Sequence, residues 1–129
     1  GAQAMTLDSG RILWARDMSS VAGLAAGEDG IFIAATDGAV WAVDRRSGGA
    51  LWKNGDLLYR MLSAPVLLGS HVVVGDLEGQ LHWLKRSDGE VAARTKLGGL
   101  GFGSGLVVVD EVLYVQNNDG SIGAFRIRQ

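Results

Sequence analysis

The sequence predicts an all-β fold made of β-propeller blades: about three four-stranded antiparallel blades with a repeat of about 41 residues, forming a fragment of a larger ring. The first observation is an acid–glycine pair that recurs every 41 residues without a slip. The second is that runs rich in β-branched and aromatic residues, which are typical of strands, flank each pair. The three pairs are Asp37-Gly38, Glu78-Gly79 and Asp119-Gly120.

Each repeat divides into four strands, named A to D in chain order. The turn between strands B and C contains Gly79 because glycine adopts the positive φ that a tight hairpin requires. The run Val72-Val73-Val74 in strand B is apolar on both faces, so its sheet is expected to be covered on both sides. In the repeat that lies wholly inside the chain, the expected strands are 65–68, 71–76, 80–85 and 90–95.

Composition argues against several classes of function. The net charge is −2 and charges of both signs are interspersed, so no basic surface for nucleic acid is expected. No apolar run approaches the roughly 18 residues of a membrane-spanning helix. The absence of cysteine excludes disulfides and thiolate chemistry. No catalytic or phosphate-binding motif occurs, so we expect no catalytic, metal or cofactor site, and His71 and His82 are expected to lack an acidic partner.

A second motif lies at the corner between strands C and D. Aspartate and serine side chains at such a corner hydrogen-bond their own turn backbone. We expect the glycine to form the corner and the tryptophan to lie over the neighbouring blade as a large apolar plate. Asp44, Ser47, Gly48 and Trp52 fit the pattern A-x-D-x-x-S-G-x-x-x-W, and Trp14 keeps its second half near the start of the chain.

This corner pattern resembles the tryptophan-docking motif of quinoprotein-type propellers. Residues 56–62, DLLYRML, and 72–83, VVVGDLEGQLHW, are similar to the last blades of the propeller lipoproteins of the bacterial outer-membrane β-barrel assembly machine. The resemblance implies an eight-bladed parent ring and a non-enzymatic scaffold that assists assembly and insertion of outer-membrane β-barrel proteins. It also implies a periplasmic location at the outer membrane, a barrel-forming subunit as partner, and membrane attachment only through a lipid anchor absent from this chain.

Two alternatives remain open. In the first alternative, the chain is a blade fragment of a quinone-dependent dehydrogenase. In the second, it belongs to another quinoprotein-like propeller. A dehydrogenase would need calcium-ligating groups and side chains that stack on the cofactor near the channel. Trp41 and Trp83 have apolar neighbours, which favours packing between blades over stacking on a ligand.

The segment 56–62 is the candidate protein-binding site. It joins strand D of one repeat to strand A of the next, and alternation of strand direction places such loops on the same face as the B–C turns. Its content of apolar residues with tyrosine and arginine is typical of protein interfaces. The alternative is that the segment folds back over its blade and packs there. The candidate contact residues are Leu57, Leu58, Tyr59 and Arg60.

The ends of the chain suggest how copies associate. Residues 1–9 are expected to be an N-terminal extension or a cloning remnant, and residues 10–129 to form the blades in the strand order D-ABCD-ABCD-ABC. The unpaired strands at both ends predict a homo-oligomer that closes a ring head to tail. A trimer is favoured over a dimer, because the rotation per blade in a nine-bladed ring is closer to that of the eight-bladed parent than the rotation in a six-bladed ring.

Overall fold

A computed structural model describes residues 2–7, 10–18, 20–96, 102–117 and 120–126 of the chain. Over these residues the fold is all-β, and none of them forms a helix long and apolar enough to cross a membrane. The strands are β1 (Ala2–Leu7), β2 (Gly10–Arg16), β3 (Val21–Gly27), β4 (Gly30–Ala35), β5 (Val40–Val43), β6 (Ala50–Asn54), β7 (Val66–Leu68), β8 (His71–Gly75), β9 (Gln80–Lys85), β10 (Val91–Lys96), β11 (Phe102–Val109), β12 (Val112–Asn117) and β13 (Ile122–Arg126).

The strands form four antiparallel sheets that follow one another along the chain. β1 and β2 make a two-stranded sheet, β3–β6 and β7–β10 make four-stranded sheets, and β11–β13 make a three-stranded sheet. Each strand pairs with its neighbour in sequence, so each four-stranded sheet is a meander of strands A, B, C and D. The predicted all-β propeller class is confirmed.

The N-terminal segment forms a strand where the sequence suggested an extension or a cloning remnant. β1 pairs with β2 from Ala2↔Arg16 to Leu7↔Gly10, so it supplies a strand C beside the expected strand D. The reason is that β1 satisfies the backbone groups along one edge of β2. The predicted closure of a ring with another copy needs this edge of β2 to be open. Because β1 occupies the edge, β1 would have to leave before two copies could pair there. The homotrimer, with the dimer second, stays a prediction.

Two apolar cores fill the spaces between successive sheets. Val72 and Val74 of β8 point into the first core, where Phe32 of the β3–β6 sheet meets them. Val73 points the other way, into a second core that contains Leu113 of the β11–β13 sheet. All three valines are fully buried. The β7–β10 sheet is therefore covered on both faces, as its valine run predicts.

The B–C turns have the backbone that the acid–glycine pairs predict. Gly38, Gly79 and Gly120 have φ values of +97°, +86° and +90°. The N–H of Gly38 donates to the carbonyl of Ala35 at 3.0 Å, which closes a four-residue turn. Asp119 lies outside the described residues.

The acidic residue of the turn has a different position in the two four-stranded sheets. In the first, the Asp37 carboxylate accepts the N–H of Ala39 at 2.9 Å. In the second, the turn N–H of Glu78 donates to the carboxylate of Asp76 at 2.9 Å. The predicted turn acid Glu78 is thus exposed to solvent, and the residue that ends strand B has the capping role.

The corner between strands C and D is held by its own side chains. The Asp44 carboxylate accepts the N–H groups of Arg46 and Ser47 at 2.8 and 3.0 Å. The hydroxyl of Ser47 accepts the N–H of Gly49 at 3.1 Å. These backbone hydrogen bonds hold the pKa of Asp44 below its usual value. The expected turn roles of Asp44 and Ser47 are therefore observed.

Tryptophans connect the first two sheets to the corner of the sheet that follows each of them. The indole N–H of Trp52 donates to the carbonyl of Arg86 at 2.9 Å, and its ring packs beside Phe32. The ring lies directly over Gly89, which has φ +80° and no side chain to obstruct it. The same arrangement places Trp14 on Arg45 and Gly48.

Replacing Gly89 with alanine is expected to destabilise the fold by about 1–3 kcal/mol, because alanine is strained at this φ and its Cβ would meet the Trp52 ring. Gly55→Ala is the matched control, since a Cβ there meets only Leu58 at 3.6 Å. It should change stability by less than about 0.5 kcal/mol. Urea unfolding measures both variants, and equal effects would contradict the docking geometry.

Candidate protein-binding face

The segment between β6 and β7 runs along the side of the molecule where the B–C turns lie. The N–H of Tyr59 donates to the carbonyl of Asp37 in the first turn at 2.8 Å. Leu62 forms an isolated bridge with Asp76, where the second turn begins. The loop and the turns therefore share one side, as alternation of strand direction predicts. We call this surface, made of residues 56–62 with turns 36–39 and 77–79, the loop face.

The four candidate contact residues have different environments. Leu57 is buried in the first core, so its side chain cannot contact a partner and its proposed role there is wrong. Leu58 is partly exposed, and Tyr59 is 93% exposed. Arg60 is part exposed and contacts Asp76. The loop both packs and projects: one leucine anchors it, and the residues that follow face solvent.

Tyr59 is held outward by an uncommon backbone conformation. Its φ is +68°, in the left-handed region that a side-chain-bearing residue adopts at a cost. Hydrogen bonds on both sides fix this conformation: Tyr59 donates to Asp37, and the N–H of Arg60 donates to the carbonyl of Leu57 at 3.1 Å. A large aromatic side chain is thus displayed to solvent at the cost of backbone strain.

Two further apolar side chains lie on the loop face. Met61 is 66% exposed and Leu77 is 52% exposed. Both line a cleft of about 440 Å³ that also reaches Gly105 and Leu106 of β11. Sequence reasoning missed Met61 and Leu77. The available signal was Leu77, an apolar residue inside a turn that is otherwise polar.

Exposed acidic residues lie on the same turns and loop as these apolar side chains. Asp37 and Glu78 lie in the turns, Asp56 begins the loop, and all three are exposed. The one basic side chain of the loop, Arg60, has its guanidinium 3.2 Å from the carboxylate of Asp76. The loop face therefore combines exposed acidic and exposed apolar side chains.

The Asp76 carboxylate is almost completely buried and accepts four hydrogen bonds. Oδ1 accepts the turn N–H groups of Glu78 and Gln80 at 2.9 and 3.2 Å. Oδ2 contacts Arg60 Nη1 at 3.2 Å and His82 Nε2 at 2.7 Å. This one carboxylate therefore joins the turn, the loop and strand β9.

His82 is buried and has the acidic partner that the sequence analysis did not expect. Arg94 Nε donates to His82 Nδ1 at 3.2 Å, so the neutral ring carries its proton on Nε2 and donates it to Asp76. The pairing register explains the omission. Val74 is opposite His82, which makes Asp76 the diagonal neighbour of His82 on the same face.

Burial and hydrogen bonding together shift the pKa values of this pair. Burial lowers the pKa of His82, and Asp76 only partly offsets the effect. Burial would raise the pKa of Asp76, but hydrogen bonds from His82 and the turn outweigh it, so that pKa lies below its usual value. No group of three or more His, Cys, Asp or Glu side chains that could hold a metal occurs in the described part of the chain.

Sheets with a 41-residue period, stacked face to face and joined by docked tryptophans, define a quinoprotein-like β-propeller. A family model described as outer membrane protein assembly factor BamB matches residues 1–54 and again 52–129. The chain belongs to the BamB family.

Relatives support the same assignment. Outer membrane protein assembly factor BamB of Xanthomonas campestris pv. campestris is 43% identical over 94% of this chain. That of Pseudomonas aeruginosa is 40% identical over 98% of this chain. The chain spans 30% and 33% of these two relatives, about a third of their length. The crystal structure of BamB from Moraxella catarrhalis matches 99% of this chain and 39% of its own, with a TM-score of 0.85 and 32% identity.

Stability is expected to fall as the pH drops. The folded pKa of His82 lies below its unfolded value, so below about pH 6.5 the unfolded chain takes up the proton first. Below about pH 4, Asp76 adds a second loss for the same reason. Each step has a slope of up to about 1.4 kcal/mol per pH unit. Urea unfolding between pH 7.5 and 3.5 tests this, and stability that stays constant or rises from pH 7 to 5 would contradict it.

Proposed function

We propose that this chain is part of a non-enzymatic protein-interaction scaffold that assists the assembly and insertion of outer-membrane β-barrel proteins, at the periplasmic face of the outer membrane. Its relatives are named as outer membrane protein assembly factors, which supports this role. The observation that carries the proposal is the loop face, where an exposed tyrosine is displayed at the cost of backbone strain. Strain of this kind clusters at functional sites.

The partner we propose is the barrel-forming subunit of the assembly machine. Tyr59 and Met61 are of residue types that are enriched at protein interfaces. Met61 and the exposed Leu77 line one cleft on the loop face. The exposed acidic residues of the loop face complement a partner segment that presents an apolar side chain flanked by lysine or arginine. Of the predicted contact residues we retain Leu58, Tyr59 and Arg60, and we add Met61 and Leu77.

No feature of the described residues favours the dehydrogenase alternative. Trp83 donates its indole N–H to the hydroxyl of Thr95 at 3.1 Å and packs in the second core. Trp41 lies beneath the cationic groups of Arg16 and Lys53, at 5.4 and 4.9 Å from its ring. Both tryptophans are thus engaged by neighbouring strands, which supports the scaffold.

Replacing Tyr59 with glycine is expected to separate binding from folding. Glycine relieves the strain at φ +68°, and the exposed tyrosine has little packing to lose. Unfolding free energy should stay the same or rise by up to about 1 kcal/mol. Affinity of the full-length parent for the barrel-forming partner should fall roughly tenfold, as for an interface hot spot.

The matched control is Arg46→Ala, an exposed change at the C–D corner, away from the loop face. It should leave both capture and stability unchanged. Tyr59→Gly with undiminished capture would return this loop to a packing role only.

A further inference from the structure

We propose that Asp76 and His82 form a proton-sensitive latch that holds residues 60–62 of the loop in place on the loop face. Asp76 and His82 are positioning residues: they act through Arg60 and Leu62 and do not contact a partner themselves. The structural part of this inference stands on the network alone. Its consequence for binding rests on the proposed function of the loop face.

The latch depends on one shared oxygen. Arg60 Nη1 and His82 Nε2 both donate to Oδ2 of Asp76, while Oδ1 is occupied by the turn N–H groups. The carboxylate is 2% exposed, so water does not readily replace a lost donor. Any change in the charge of His82 therefore acts directly on the contact between Arg60 and Asp76.

The second nitrogen of the ring makes the network sensitive to protons. Neutral His82 accepts a hydrogen bond from Arg94 Nε at Nδ1. A protonated imidazole carries N–H groups on both nitrogens and accepts nothing. Arg94 Nε would then face another donor, and this hydrogen bond is lost.

Protonation also changes the local charge balance. The charged groups that act on His82 are Asp76 from the turn, Arg60 from the loop and Arg94 from β10. With His82 charged, three cations share one buried anion. The side chain of Arg60 is 37% exposed, so it can move into water, where its charge is better solvated.

Release of Arg60 from Asp76 should loosen only the second half of the loop. The first half is fixed by Leu57 in the core and by the Tyr59–Asp37 backbone hydrogen bond, neither of which involves Asp76. The second half depends on the Arg60 contact and on the bridge from Leu62 to Asp76. Acid is thus expected to loosen residues 60–62, including the exposed Met61, while Tyr59 stays anchored.

The test is an NMR titration of the wild-type chain between pH 8 and 5. Ring nitrogen shifts report the tautomer and protonation of His82, and hydrogen exchange, corrected for intrinsic rates, reports the protection of individual amides. We expect the Nε2–H tautomer at high pH. The amide of Ser63 donates to the carbonyl of Gly75 at 2.8 Å, next to the bridge between Leu62 and Asp76. Its protection should fall at least tenfold with the same midpoint as the His82 ring, while that of Tyr59 stays nearly constant.

Two variants identify the group whose protonation causes the pH dependence. His82→Gln should remove the pH dependence of loop protection, and His71→Gln, which changes the other histidine of the chain, should keep it. If His82→Gln does not fold, the wild-type titration decides alone. Loop protection that ignores the His82 midpoint, or an Nδ1–H tautomer, overturns the latch.

Partner capture by the full-length parent at the same two pH extremes separates the two proposals. Weaker capture at low pH together with loosened residues 60–62 supports the latch and its role in binding. Loosened residues 60–62 with unchanged capture support the latch and count against the loop face as the binding site.

Discussion

The fold depends on burial of the β7–β10 sheet between two neighbouring sheets. Its strand β8 sends alternate valines into two separate cores, so the centre of this sheet is covered on both faces. A single four-stranded sheet could not bury both faces, and the blades therefore stabilise one another in series. The docked tryptophans fix the rotation between the sheets, because each joins strand D of one blade to the corner of the next.

The loop face is a consequence of this stacking. Leu57 enters the first core only because two sheets lie close enough to enclose it, and it anchors a loop whose next residues point outward. The turn that begins at Asp76 then supplies a buried carboxylate to the same loop. The scaffold thus holds the loop at two points, one apolar and one charged, which leaves Tyr59 and Met61 exposed but ordered by their neighbours.

Local features of the sequence were sufficient to predict the fold class. Turn glycines, the valine run and the corner motif each act within a few residues, so their structure follows from local chemistry. Features that depend on tertiary contacts were predicted less well. Leu57 and Leu58 cannot be told apart until the first core is built around one of them. The Asp76–His82 pair needs the hairpin register, which brings residues six apart onto one face.

Native-state hydrogen exchange over the whole chain tests the central claim, that the blades stabilise one another through the shared β7–β10 sheet. The amides of β8 and β9 should be the slowest to exchange and should open only with global unfolding. Trp52→Ala should lower the protection of β4, β5, β8 and β9 together, because it weakens the interface that these strands share. If the β3–β6 sheet loses protection while β8 and β9 keep theirs, the blades are independent units and the account is wrong.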